Sequence, residues 1–179
     1  MDAEQHLMHR IQHRDANALA ELYDLYGGRV YSLVVAILGE GMAAQEITQD
    51  TFMKIWQHPE YYRIHDGRFA AWLLTVARRS AIDRLRHDRR QLVQLASSMD
   101  DEHFPELQDH VEDDEARWRE LRYLFGALPN EQRQVIELSY YRGLSQSDIS
   151  AHLNVPLGTV KTRMRLAMDK LRVVFQKSQ

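Results

Sequence analysis

From Leu144 the chain reads LSQSDISAHLNVPLGTVKTRMRLAMDKLR, and this stretch restricts the fold more than any other. Ser145 precedes Asp148 by three residues, the spacing of an N-cap with a reciprocal acceptor, so a short helix is expected to run from there through Leu153. Asn154, Val155 and Pro156 then make the turn. A last helix is expected from near Thr159, where Val160, Met164, Ala167 and Leu171 recur at steps of four, three and four. With those four packed inward, Lys161, Thr162 and Arg165 point outward from the first turns and Arg163 lies on the border. A short helix, a tight turn and a second helix with a basic outer face form a helix-turn-helix, whose second helix can enter the major groove. Cations and a hydroxyl there suit guanine acceptors and phosphates. A plain helical hairpin with a solvated basic face shares the periodicity; the turn and the charge placement favour DNA.

The rest of the chain is also patterned for helices. Leu19, Leu22, Tyr23, Tyr26, Val30, Leu33, Val34 and Ile37 describe one amphipathic stripe, closed by Gly39 and Gly41. Gly27 and Gly28 lie inside it, at a cost of roughly 1 kcal/mol each relative to alanine, which leaves room for a break there. A second helix from about Met42 to Trp56 groups Ala44, Ile47, Thr51 and Ile55 on one face and Glu46, Gln49, Asp50 and Met53 on the other. His58 and Pro59 begin a loop to Arg68 that carries Tyr61, Tyr62, His65, Asp66 and Gly67. A third helix from Phe69 to about His87 has Phe69, Trp72, Leu73, Val76 and Ser80 on its inner face. Two more amphipathic segments, Arg117 to Leu128 and Asn130 to Tyr141, are separated by Pro129, which cannot sit inside a helix. No strand-like alternation and no internal repeat is present, so the expected fold is all-α.

A net charge of −3 would normally argue against a nucleic-acid partner, but the charges fall in blocks. Arg68 to Arg90 holds seven arginines against Asp83 and Asp88. Gln91 to Arg117 holds nine acidic residues against one arginine, and from Leu157 onward six Lys/Arg oppose Asp169. Two basic modules joined by an acidic connector are the implied organisation, with boundaries at 1–90, 91–116 and 117–179. In the Phe69–Arg90 helix the arginines accompany aromatics, and Tyr61 and Tyr62 precede it. Stacking an unpaired base on an aromatic contributes about 1–3 kcal/mol, and arginines can hold the strand's phosphates. A core tryptophan beneath a solvated basic face fits the same composition.

Three segments now resemble one family. AAQEITQDTFMKIW from Ala43, FAAWLLTVARRSAIDRLR from Phe69, and the stretch from Leu128 through the helix-turn-helix are similar, in order and spacing, to regions 2.2, 2.3–2.4 and 4 of extracytoplasmic-function sigma factors. With the first helix, the likeness covers about residues 17–90 and 117–175. The resemblance implies that Glu46, Gln49, Asp50 and Met53 grip the clamp helices of the polymerase β′ subunit. It implies that the loop from Tyr61 to Arg68 captures a flipped base of the −10 element, with Tyr61 and Tyr62 as its aromatics. It places Arg78, Arg79, Arg84 and Arg86 in the helix that meets the −10 duplex and melted strand, Arg84 lying nearer the apolar side. Lys161, Thr162, Arg163 and Arg165 fall in the −35 recognition helix, where Leu166 stands at a position that many relatives fill with a basic residue. The implied partners are core RNA polymerase, through its β′ clamp helices and β flap, promoter DNA, and an anti-sigma factor that is itself membrane-anchored in some cases. The acidic linker resembles the segment threading toward the polymerase active-site and RNA-exit channels.

Other chemistries find little support. There is no cysteine, which removes disulfides, thiolate zinc sites and a cysteine nucleophile. His6, His9 and His13 lie at helical spacing but without a carboxylate partner at ligand spacing, so they read as surface histidines rather than a metal site. No phosphate-binding glycine loop, serine elbow or zinc-protease helix is present, and neither a cofactor nor intrinsic catalysis is expected. Apolar runs such as Leu33 to Leu38 are far below the about 20 residues that span a bilayer, and Met1 to Gln5 begins no signal core, so cytoplasmic residence without membrane insertion is expected. The alternative to a sigma factor is an autonomous helix-turn-helix regulator whose N-terminal bundle senses or dimerises.

Overall fold

A computed structural model describes residues 3–62, 69–95, 126 and 128–177. Among them are seven α-helices, one 3-10 turn and no strand, the all-α fold anticipated from periodicity. The chain divides into two compact units, Met1–Asp113 and Asp114–Gln179.

The first unit contains α1 (Ala3–Gln12), α2 (Ala16–Leu38), α3 (Gly41–Gln57), a 3-10 turn (Pro59–Tyr61) and α4 (Phe69–Leu95). α2 is central and packs against each of the other three helices. α1 was not anticipated: it buries Leu7, Met8 and Ile11, a stripe too short to stand out as a periodic run. Arg14 turns the chain in the left-handed region at φ 64°. Asp15 then caps α2 by accepting from the Asn17 amide at 3.0 Å. The Arg10 guanidinium donates to Asp15 at 2.8 Å and Glu21 at 2.9 Å, joining α1 to the start of α2. That guanidinium, ahead of the amide bonds, holds the Asp15 carboxyl below its ordinary pKa.

The break that Gly27–Gly28 would allow does not occur, and α2 runs unbroken through both. Tyr26, Gly27 and Val30 are all buried, so tertiary packing overrides the weak local propensity. A Cβ at Gly27 would come within 3.2 Å of the Tyr23 ring, whereas one at Gly28 would meet nothing within 4 Å. The helix ends at Gly39, left-handed at φ 71°, whose amide donates to the Val35 carbonyl at 2.8 Å.

The core is built from Ile11, Leu22, Val30, Val34, Ile37, Ile55, Phe69 and Leu73, all buried. Two small residues of α4, Ala77 and Ala81, are fully buried, while Val76 and Ser80, expected inside, are only half-buried. α4 also continues to Leu95, beyond His87 and into the stretch expected to be linker. Arginine, leucine and glutamine are good helix formers, and Arg84 and Asp88 add an i,i+4 ion pair. The acidic block and the segment Arg117 to Leu128 lie almost wholly outside the described residues.

The second unit contains α5 (Asn130–Tyr140), α6 (Gln146–His152) and α7 (Leu157–Lys177). Val135, Ile149 and Val160 form one buried cluster, and Leu128, Ile136 and Ala167 form another. Met164 packs against both. Each helix therefore donates its apolar stripe to a shared centre, as the sequence pattern requires.

Candidate nucleic-acid and partner interfaces

α3 separates its residues cleanly. Ala43, Ala44, Ile47, Thr48, Thr51, Phe52 and Ile55 are buried, and the two threonine hydroxyls donate back to the Ala44 and Ile47 carbonyls at 2.7 Å. This satisfies polar groups that would otherwise be costly to bury. Glu46, Gln49, Asp50 and Met53 are all exposed on the opposite side. Met42 joins them at 78% exposure, a residue missed earlier although 42, 46, 49 and 53 follow the same helical steps. An apolar side chain so open to water on a polar face is a candidate anchor for a partner.

The two loop tyrosines part company. Tyr61 is 62% exposed and stacks on His58 with centroids 4.9 Å apart. Tyr62 is 6% exposed and turned inward, 5.1 Å from the Phe69 ring and 5.2 Å from Trp72. Against the expectation that Tyr62 stacks on a base, its ring is packed in the bundle, at 86° to Phe69 and 53° to Trp72, because burying an aromatic among aromatics is more favourable than leaving it in water. His65, Asp66, Gly67 and Arg68 lie outside the described residues.

The arginines of α4 divide by direction. At about 100° per residue, Arg79 and Arg86 lie about 20° apart on the wheel, and Arg84 lies about 140–160° from both. Arg79 and Arg86 are exposed, and Arg78 is half-buried. Arg84 instead faces α3: it donates to Glu46 at 3.0 Å and to both Asp88 oxygens at 3.0 and 3.1 Å. The Glu46 hydrogen bond, followed by the attraction of Asp88, holds this guanidinium more firmly protonated than usual. The expectation that Arg84 meets DNA stands against this geometry, in which its Nε and Nη1 donors serve two carboxylates and the side chain is 35% exposed. On the same flank Lys54 Nζ donates to Ser80 Oγ at 2.9 Å.

In the second unit the capping box read from the sequence is present. The Asp148 amide donates to Ser145 Oγ at 3.2 Å, and the Ser145 amide donates to Asp148 Oδ2 at 3.0 Å. Asn154 makes the turn with a left-handed φ of 50°, and Ser150 Oγ ties back to the Val155 carbonyl at 2.6 Å. Val160 and Ala167 are fully buried, which directs Lys161, Thr162 and Arg165 into solvent. Arg163 is a border residue, its side chain 25% exposed and 4.0 Å from Glu131. Thr162 donates its hydroxyl proton to the Gly158 carbonyl at 2.9 Å, leaving a methyl and acceptor lone pairs toward solvent. Arg165 and Arg172 lie on either side of Asp169, at 3.4 and 3.8 Å. Leu166 is 37% exposed on this surface. Burial raises the pKa values of the Tyr141 phenol and, more modestly, the Glu137 carboxyl, both in the support of the motif.

Among the described residues no group of three or more His, Asp or Glu is placed to hold a metal ion. His9 and His13 instead contact each other, with ring centroids 4.4 Å apart. Nor is any described helix long and apolar enough to cross a membrane.

Comparison with known proteins follows the same division. The pattern of sigma-70 region 2 matches residues 22–91, and that of sigma-70 region 4 matches residues 124–173. An ECF RNA polymerase sigma factor SigK of Mycobacterium sp. (strain KMS) is 36% identical over 166 residues, covering 89% of this chain and 83% of that protein. The SigK of Mycobacterium bovis (strain BCG) is 35% identical over 170 residues, covering 93% and 90%. Among solved structures, Rhodobacter sphaeroides SigE in complex with the anti-sigma ChrR is 28% identical, covers 93% of this chain and 94% of that one, and gives a TM-score of 0.45.

Proposed function

The chain belongs to the extracytoplasmic-function RNA polymerase sigma factors of the sigma-70 family, and on that premise we propose how its surfaces divide the work of promoter-specific initiation. The observation that carries the reading is that α3 and α4 share one core yet turn separate polar faces to solvent. Glu46, Gln49, Asp50 and Met53, extended by Met42, form the surface for the β′ clamp helices of core polymerase. Its acidic and amide groups suit basic and hydrogen-bonding partners, and the methionines adapt to an irregular apolar surface. Arg79 and Arg86, with Arg78 beside them, meet the −10 DNA, and Tyr61 offers an open ring face to an unpaired base.

The second unit, with the β flap as its polymerase partner, reads the −35 element through α7. Lys161 and Arg165 are placed for base edges or phosphates, Thr162 for an acceptor or methyl contact, and Arg163 for the backbone at the flank. The acidic stretch that follows α4, to residue 116, connects the parts. An anti-sigma partner, whether or not anchored in a membrane, acts simply by covering the Met42–Met53 face, since that occupant and the polymerase exclude one another. The family is one of non-catalytic initiation factors; phosphodiester chemistry stays with the polymerase, this chain needs no cofactor, and it works in the cytoplasm.

Run-off transcription from a genomic library, using core polymerase with and without the protein, tests the reading. New transcripts that depend on both components, sharing −35 and −10 motifs, are expected. An autonomous regulator would instead bind duplex DNA alone, as a dimer on a palindrome, and yield no core-dependent transcripts.

A further inference from the structure

We infer that Arg84 is a positioning residue, one that fastens the arginine helix to the polymerase-facing helix through Glu46 so that both surfaces are presented as one rigid body. The inference rests on the sigma-factor reading and deepens it. Arg84 leaves α4 on the flank that faces α3 and places one guanidinium between Asp88 of its own helix and Glu46 of the other, all three contacts lying at 3.0–3.1 Å. Glu46 is 38 residues away in sequence, so the link is tertiary. A second bridge, Lys54 to Ser80 at 2.9 Å, joins the same two helices one turn earlier on α4.

Charge supports a structural role over DNA contact. Two carboxylates around one guanidinium leave a local net charge of −1, which repels phosphate. A strand phosphate drawn to the remaining Arg84 N–H groups would come close to both acids. Kept in place, Arg84 fixes the Glu46 carboxylate, which otherwise samples several rotamers at 58% side-chain exposure. The polymerase then meets a group already oriented, and the ordering entropy is lost before association rather than during it.

The test uses holoenzyme assembled from core polymerase and the full chain, after wild-type core-dependent transcription has been verified; absence of that transcription would overturn the functional reading itself. Affinity for core and the salt dependence of promoter binding are measured for Arg84→Ala, Arg84→Lys, Arg79→Ala and Glu46→Gln, and for Arg84→Ala combined with Glu46→Gln. Arg79→Ala is expected to flatten the plot of log affinity against log salt by about 0.9, the value of one lost phosphate contact. Arg84→Ala is expected to leave that slope unchanged while weakening core binding about three- to fivefold, as suits a partly exposed ion pair. In the Glu46→Gln background it should add less than about twofold, because the partner is already altered. Arg84→Lys, which keeps a cation within reach, should recover part of the lost core affinity. A slope reduced by about one unit in Arg84→Ala would make Arg84 a DNA contact and overturn the proposal. So would unchanged core affinity, or an equal loss with and without Glu46.

Discussion

Tyr61 and Tyr62 are adjacent, yet replacing each by alanine should break a different property. The Tyr62 ring is 6% exposed and sits within 5.1–5.2 Å of Phe69 and Trp72. Truncating a buried aromatic removes its transfer free energy and leaves a cavity, a loss of about 3 kcal/mol or more. For a unit of this size that lowers Tm by roughly 10–20 °C. Promoter opening measured well below the new Tm should be affected only modestly. Tyr61 is 62% exposed and its visible ring contact is the stack on His58, so Tyr61→Ala should change stability by less than about 0.5 kcal/mol. Its loss falls on the melted strand: one base-stacking contact is worth about 1–3 kcal/mol, or roughly 5- to 150-fold in open-complex population. Tyr61→Phe keeps the ring and should stay close to wild type. Thermal melting followed by circular dichroism reads the first effect, and permanganate reactivity of unpaired thymines in the holoenzyme–promoter complex reads the second. Wild-type permanganate reactivity for Tyr61→Ala would refute the stacking role, and an unshifted Tm for Tyr62→Ala would refute its place in the core.

Gly28→Ala should raise stability by about 0.5–1 kcal/mol, because the new methyl enters open space on an unbroken helix, whereas Gly27→Ala should lose most of that gain by crowding the Tyr23 ring. Chemical denaturation of the two variants side by side decides this, and equal stabilisation would contradict it. Replacing Gln49 by alanine together with Asp50 by arginine should weaken assembly with core polymerase at unchanged helical content, measured as the affinity of the labelled protein for core. Arg165→Ala should relax preference at one or two −35 positions by about 1–3 kcal/mol, and Leu166→Arg should change the selected sequence; parental motifs from a randomised promoter pool for both would show that the recognition face is misassigned.

The sequence by itself determined the all-α class, the helix-turn-helix with its Ser145–Asp148 box, and the exposed face of α3. Those features depend on residues within a few positions of one another, where helical period and cap chemistry leave few alternatives. The tertiary structure decided what local pattern leaves open. It carried α2 through Gly27 and Gly28, because burial against three helices outweighs the propensity of two residues. It placed Ala77 and Ala81 in the core, where small side chains let helices approach, and left bulkier Val76 at the edge. It added α1, whose three buried side chains gain meaning only against α2. It sent Tyr62 inward beside Trp72 and drew Arg84 toward Glu46, 38 residues back along the chain. A helical wheel records the angle at which a side chain leaves its helix. Which neighbour waits at that angle is settled only when distant segments pack: for Tyr62 it is the aromatic core, and for Arg84 the Glu46 carboxylate at the surface.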